Sequence, residues 1–311
     1  MAAAAQSIAF IGLGAMGLPM ARRLLAAGFR VRGFDVSDSA LAALRGAGGE
    51  APDSPAGAVQ GADLVVLMVA TAEQVEAALD GPQGALSTLP DGATVVLHST
   101  VSPAFSQTLG ERLAARGNFL LDAPVSGGVV GAEAGKLSVM AAGPAQAFAA
   151  AEQMLDVVAG KVYRLGDAPG LGSSVKMINQ LLAGVHIVSA AEAMALGTRV
   201  GADPDVLYDI ICHSAGGSWM FQNRVPRMLE ENPEVTSAVE IFVKDLGIVL
   251  DTGHELRFPL PLASLAHQQF LAASAAGLGR ADDSAVVRVY EQLTGVDIPA
   301  AARRTSEGDG A

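Results

Sequence analysis

A single cysteine, Cys212, in 311 residues excludes any intramolecular disulfide and suits a reducing compartment. The adjacent His213 makes no ligand pattern with it, so no metal site is expected. Charge is scarce, at 17% of residues, and positive charge is scarcer still: 20 Lys and Arg against 32 Asp and Glu give a net charge of -12. Such a surface repels phosphate backbones and anionic lipids, so neither nucleic acid nor membrane is an expected partner. An anionic small molecule must then be met by local donors. No Lys or Arg precedes Arg22, so the start lacks the basic region of a secretory signal and the expected location is the cytoplasm. The most apolar long segment, Leu181 to Val200, is interrupted by His186, Glu192 and Arg199, which predicts a buried helix rather than a membrane span.

What the chain has in quantity is apolar residues, 50% of the total, enough for the cores of two domains. Ile8-Ala9-Phe10-Ile11 is a short apolar run without helical spacing, and it passes straight into Gly12-Leu13-Gly14-Ala15-Met16-Gly17 and an Ala/Leu-rich stretch to Ala27. The pattern predicts strand, tight turn, helix. The first glycine allows the turn, the second lets backbone approach a pyrophosphate, and the third packs helix on strand, while the helix N-terminus offers amide donors. Arg30 to Phe34 reads as the next strand, ending in Asp35. A carboxylate there can accept the ribose hydroxyls of an adenosine and would repel a 2′-phosphate, so the expected cofactor is NAD rather than NADP.

Further apolar runs, Leu64 to Val69 and Thr94 to Leu97, alternate with the helix-forming stretches Ala72 to Leu79 and Pro103 to Arg116. Strand and helix in alternation predict an α/β domain with a doubly wound parallel sheet, the Rossmann arrangement. Val69 and His98-Ser99-Thr100 lie at carboxyl ends of strands, where ligands of such sheets sit; Thr100 is a candidate cofactor contact or the cap of the next helix. Asp122-Ala123-Pro124-Val125-Ser126-Gly127-Gly128 follows another apolar run and breaks into a glycine-rich turn that can present backbone amides to a carboxylate. A strand over Leu137 to Ala141, a helix over Ala145 to Val158 and a strand over Val162 to Leu165 complete a first domain, 1–167. Beyond Gly170 the patterns are helical, predicting an all-α second domain over 168–300 and a frayed tail at 301–311. One helix from Ser173 to about Arg199 would span about 40 Å at ~1.5 Å per residue, long enough to bridge domains or pack against a second subunit, so a homodimer or homotetramer is expected.

Five ordered motifs then carry a family resemblance. They are Gly12-Leu13-Gly14-x-Met16-Gly17-x-x-Met20, His98-Ser99-Thr100-x-x-Pro103, the Asp122 to Gly128 stretch, Gly170-x-Gly172-x-x-x-Lys176-x-x-Asn179-Gln180, and Lys244-Asp245-Leu246. Together they resemble the β-hydroxyacid dehydrogenase family over nearly the whole chain. The resemblance implies NAD-dependent oxidation of a hydroxy acid with Lys176 as the acid/base, and a lysine can take a hydroxyl proton where burial favours its neutral form. It implies a substrate carboxylate held by Ser126, Gly127 and Gly128, and Lys244 close to the cofactor or else ion-paired to a neighbouring acid. Asn179 and Gln180, three and four residues after Lys176, can share its helix face and orient it or the substrate; many family members carry Asn where this chain has Gln180.

Gly184 to His186, Ala215 to Phe221, Ile241 to Gly247, Phe258 to Leu262 and Asp282 to Val286 look most like a branch that oxidises the C2 hydroxyl of a four-carbon sugar acid. In that reading Trp219 and Phe221 close the pocket while Ser218, Gln222 and Asn223 pair with the distal hydroxyls; the alternative is that the two aromatics are core. Two other classes stand beside this one. A non-catalytic NAD-binding protein would have no use for Lys176 and Asn179, and imine reductases, which share the architecture, typically lack that lysine.

Overall fold

The computed structural model describes residues 6–299 and Ala302; the tail expected at 301–311 lies outside the described residues, Ala302 apart. Two compact units divide the chain, Met1–Met177 and Ile178–Ala311. The division falls inside a long helix rather than before it.

Unit 1 runs β1 (Ser7–Ile11), α1 (Gly17–Ala26), β2 (Arg30–Phe34), α2 (Asp38–Gly46), α3 (Pro55–Val59), β3 (Leu64–Leu67), α4 (Ala72–Leu79), β4 (Thr94–Leu97), α5 (Pro103–Ala114), β5 (Phe119–Asp122), β6 (Val125–Ser126), α6 (Gly128–Ala134), β7 (Leu137–Ala142), α7 (Ala145–Val158) and β8 (Ala159–Gly166). β1 to β5 pair in parallel in the order 2-1-3-4-5, which puts all five carboxyl ends on one edge. The sheet is not parallel throughout: β7 runs antiparallel to β5 and β6, and β8 runs parallel to β7. β6 is part of the stretch expected to be a turn, and two residues of it pair with β7 before Gly127 breaks the ladder.

Alternation along the strands makes the two cores. Ile8, Phe10, Leu64, Val66 and Leu121 face a cluster closed by α1, α2, α6 and α7, whereas Ala9, Ile11, Val65, Leu67 and Leu120 face a second one closed by α3, α4 and α5. A sheet covered on both faces has no polar side, and so these strands read as continuous apolar runs in the sequence. The helices start on local caps: Ser37, Ser54, Thr71 and Ser102 accept from amides in the first turns of α2 to α5, and Thr71 with Gln74 completes a capping box.

Unit 2 contains most of α8 (Leu171–Arg199), then α9 (Pro204–Cys212), α10 (Trp219–Met228), α11 (Val239–Glu255), α12 (Pro261–Ala273) and α13 (Val287–Thr294). Among the described residues it has helices and no strand. α8 is long and apolar enough to cross a membrane by length and composition. Its residues Ile187, Ala191 and Met194 are nevertheless core, packed with Phe242, Leu246 and Phe270. Gly184 sits where a Cβ would fall 2.9 Å from Leu246, so glycine lets α8 and α11 come close. Arg224 on α10 reaches the fully buried Asp283 with two bonds of 2.5 and 2.9 Å, and Arg227 reaches Asp282 at 3.2 Å. The Asp-Asp-Ser motif therefore anchors α10 to the segment that leads into α13. Cys212 is half-buried.

One buried group in unit 1 titrates in an accessible range. His98, just past β4, places Nδ1 2.6 Å from the Ala123 carbonyl, which can only accept, so Nδ1 carries the proton. Nε2 is buried without a hydrogen-bond partner, and burial holds the pKa down at about 4 despite that bond. An unfolded histidine titrates near 6.5, so below that pH the unfolded chain takes up a proton that the folded one refuses. His98 should thus remove about 3 kcal/mol of stability as pH falls from 6.5 to 4. Urea melts of the wild type and of His98→Asn at pH 7 and pH 4.5 measure this; equal losses in both proteins would exclude it.

Candidate active site

The glycine loop between β1 and α1 is shaped by contact on one side and open on the other. A Cβ on Gly12, whose φ is +95°, would lie 2.3 Å from the Met68 carbonyl oxygen and 2.9 Å from a methyl of Val69, and one on Gly17 would lie 1.9 Å from the Gly12 carbonyl oxygen. Gly14 meets nothing within 4 Å. So Gly12 and Gly17 are required for packing, and the exposed Gly14 and Ala15 leave backbone accessible in front of α1, which has no side-chain cap at Met16. Asp35 stands beside this loop. One carboxylate oxygen accepts from the Leu13 amide at 2.7 Å and the other from the Ser37 amide at 2.8 Å. Each oxygen keeps a lone pair for a ribose hydroxyl. An open backbone cradle, an uncapped helix start and a fixed acid fit a dinucleotide.

The other candidates from the first half lie at the same strand edge. Val69 follows β3, and its amide donates to the Ser99 hydroxyl at 2.9 Å, which ties the end of β3 to the end of β4; Thr100 comes next. Ser126 closes β6, and Gly127 and Gly128 follow with φ of 134° and 63°. Both conformations favour glycine, and Gly128 opens on empty space.

Lys176 lies near the start of α8 and is only 7% exposed. What fixes that start is Asp122, to which the sequence reading gave no role. One of its carboxylate oxygens accepts from the Gly170 amide at 2.8 Å and the Ser173 amide at 2.9 Å; the other accepts from the Ser173 hydroxyl at 2.6 Å. Burial pushes the Asp122 carboxyl above the usual carboxylate range, and these bonds oppose the shift. The second glycine of Gly170-Leu171-Gly172 has a steric cause, because its Cβ would fall 2.5 Å from the carbonyl oxygens of both Asp122 and Met140.

In unit 2, Asn179, Gln180 and Lys244 are joined through Asp245. The Asn179 amide donates to the Gln180 side-chain oxygen at 3.0 Å, and the Gln180 amide donates to Asp245 at 2.5 Å. Lys244 pairs with the other oxygen of Asp245 at 2.8 Å. The pair is not a surface one, since the Asp245 side chain is 1% exposed. Asp245 and Asp122 both stand in motifs quoted from the sequence; the clue was an acid embedded in an apolar stretch, which needs donors of its own.

The aromatic segment departs from expectation. Phe221 is core, 4% exposed and stacked on Tyr208 at 6.1 Å, in line with the alternative reading. Ser218 caps α10 through the Phe221 amide at 3.0 Å, and Asn223 accepts from Arg224. The helix start uses the Ser218 hydroxyl, and the arginine that reaches Asp283 uses the Asn223 side-chain oxygen. Trp219 is more than half exposed.

Comparison with known proteins matches the chain in two parts. Residues 7–166 match the NAD binding domain of 6-phosphogluconate dehydrogenase, and residues 170–290 match the NAD-binding domain of NADP-dependent 3-hydroxyisobutyrate dehydrogenase. The chain is 52% identical to an L-threonate dehydrogenase of Cupriavidus necator, over 96% of this chain and 99% of that protein. It is 46% identical to an L-threonate dehydrogenase of Pectobacterium atrosepticum, over 93% and 95%. A crystal structure named as 3-hydroxyisobutyrate dehydrogenase, from Salmonella typhimurium, superposes with a TM-score of 0.87 at 46% identity, over 91% of this chain and 99% of that one. With both parts of the chain matched, and relatives aligned over nearly their whole length, this chain belongs to the β-hydroxyacid dehydrogenase family of NAD-dependent oxidoreductases.

Proposed function

We propose that this dehydrogenase oxidises the C2 hydroxyl of L-threonate to the 2-keto acid, with Lys176 as the proton acceptor. The observation that carries the chemistry is a buried lysine on a helix start that is bonded to the sheet. The substrate rests on likeness to the two L-threonate dehydrogenases. Bound NAD supplies the hydride acceptor. The amides of Gly12 to Gly17 hold the pyrophosphate, Asp35 takes the ribose hydroxyls, and Val69 and Thr100 border the cofactor. Lys176 Nζ takes the hydroxyl proton as the C2–H bond breaks, which leaves a ketone. Ser126, Gly127 and Gly128 hold the substrate carboxylate by hydroxyl and amide donors. Asn179 and Gln180 orient the substrate, Lys244 is assigned to the cofactor, and Trp219 is the remaining aromatic candidate for the distal end of the acid. A related reading is 3-hydroxyisobutyrate dehydrogenase or tartronate semialdehyde reductase; the name of the Salmonella structure favours the first of these. The chain is assigned to the cytoplasm.

A homo-oligomer, dimer or tetramer, is part of the proposal. Ile178, Leu182 and Leu196 repeat along α8, and Leu262 and Leu265 stand on α12; each is more than half exposed. Apolar side chains repeated along helices at this exposure suit a subunit interface.

Four results are expected. Lys176→Ala should leave NAD affinity nearly unchanged and lower kcat by roughly 10²- to 10⁴-fold, the usual scale of acid–base catalysis; kcat within a few fold of wild type would remove the lysine from the reaction. A kinetic panel of hydroxy acids with both cofactors should rank L-threonate above 3-hydroxyisobutyrate by at least about 10² in kcat/KM, as likeness to the two L-threonate dehydrogenases implies, and within the range a site that bonds substrate hydroxyls can reach. NAD should exceed NADP in the same panel. Equal efficiency on the two acids would return the chain to the general family function. Light scattering should give a mass well above that of the 31.5 kDa chain, and a stable monomer at micromolar concentration would contradict the interface.

A further inference from the structure

We infer that Asp122 is a positioning residue for the reaction: its buried carboxylate clamps the first turn of α8 to the end of β5, and so fixes where Lys176 presents its amine. The inference rests on the proposed role of Lys176 and adds a residue that works through it.

Three observations carry it. The helix starts α2 to α5 are capped by side chains immediately before them. The start of α8 is held instead by a strand residue 48 positions from Gly170 and 51 from Ser173. Second, the contact is tight on its backbone side, because only a glycine at 172 lets the helix press on the carbonyl oxygens of Asp122 and Met140. Third, a buried carboxylate is a costly way to cap a helix, and a serine beside the helix would serve for capping alone. What the acid adds is three bonds, through both oxygens, that leave the helix start no freedom to turn or slide. Lys176 follows Ser173 by three residues, about one turn, and is itself buried, so its own side chain has little room to correct a shifted helix. The same residue opens the stretch that reaches Ser126 four positions later. One carboxylate thereby ties the proton acceptor and the proposed carboxylate-binding turn to a single point of the sheet.

The test is a double-mutant cycle between Asp122→Ala and Lys176→Ala, with Asp122→Asn and Ser173→Ala as companions. Asp122→Ala should lower kcat by about 10- to 100-fold, the scale of a displacement of about 1 Å in a positioned group. NAD affinity, read by fluorescence titration, should hold, because the glycine loop is not touched. Asp122→Asn keeps an acceptor for the two amides and a donor for the Ser173 hydroxyl, so it should recover most of the loss. In the Lys176→Ala background, Asp122→Ala should cost little more, since a residue acting through the lysine has nothing left to position. A multiplicative double mutant, or a loss of NAD affinity with kcat unchanged, would overturn the inference. Should Asp122→Ala fail to fold, Ser173→Ala removes one of the three bonds and should show the same kcat loss in smaller measure; wild-type kcat there would count against it. Lys176→Ala alone reports separately on the lysine, so the two ideas fail apart from each other.

Discussion

Burial of the sheet on both faces is the constraint on which unit 1 depends. Neighbouring residues of β1, β3 and β5 supply opposite cores, so each of these strands must be apolar throughout, and helices must cross over on both sides. Crossovers between parallel strands return each strand in the same direction, which brings the carboxyl ends of β1 to β5 to one edge. The glycine loop, Asp35, Val69, Thr100 and Asp122 sit at that edge because of a packing requirement, and the chemistry occupies a place that the core has already made.

The antiparallel pairing of β7 breaks this regularity, and the break has a use. Because β7 runs back beside β5 and β6, the Met140 carbonyl meets that of Asp122 at the point where α8 begins. A strictly parallel continuation would carry the chain away from this point. The helix that bears Lys176 thus leaves the sheet from between two strands of opposite direction, held by a carboxylate and fitted by a glycine.

Periodicity made much of this legible. β2, β4, α4 and α7 have the bounds that apolar runs and helix formers predict, and the glycine loop was readable because Gly12 and Gly17 each answer a steric demand while Gly14 leaves the backbone open. Three things were not readable, for separate reasons. The pairing of Val125 and Ser126 with β7 is decided by a strand not yet formed when only local sequence is read. The partners of Asp122, and the Gln180 partner of Asp245, lie 48 to 65 positions away in the chain. Phe221 is core rather than a pocket wall because Tyr208 lies across it, and nothing local in the sequence shows that stacking.

A chain of net charge -12 that takes an anionic acid and an anionic dinucleotide cannot attract them by its general field. The structure instead spends each important acid on a fixed set of donors. Asp35 holds two backbone amides, Asp122 two amides and a hydroxyl, Asp245 an amide and a lysine, and Asp283 an arginine fork. Such acids order the chain around them. The sites proposed for an anion offer backbone amides instead, at the uncapped start of α1 and in the Ser126 to Gly128 turn, where glycine conformation and open space expose them. Backbone donors keep their position without a flexible side chain and are unaffected by pH.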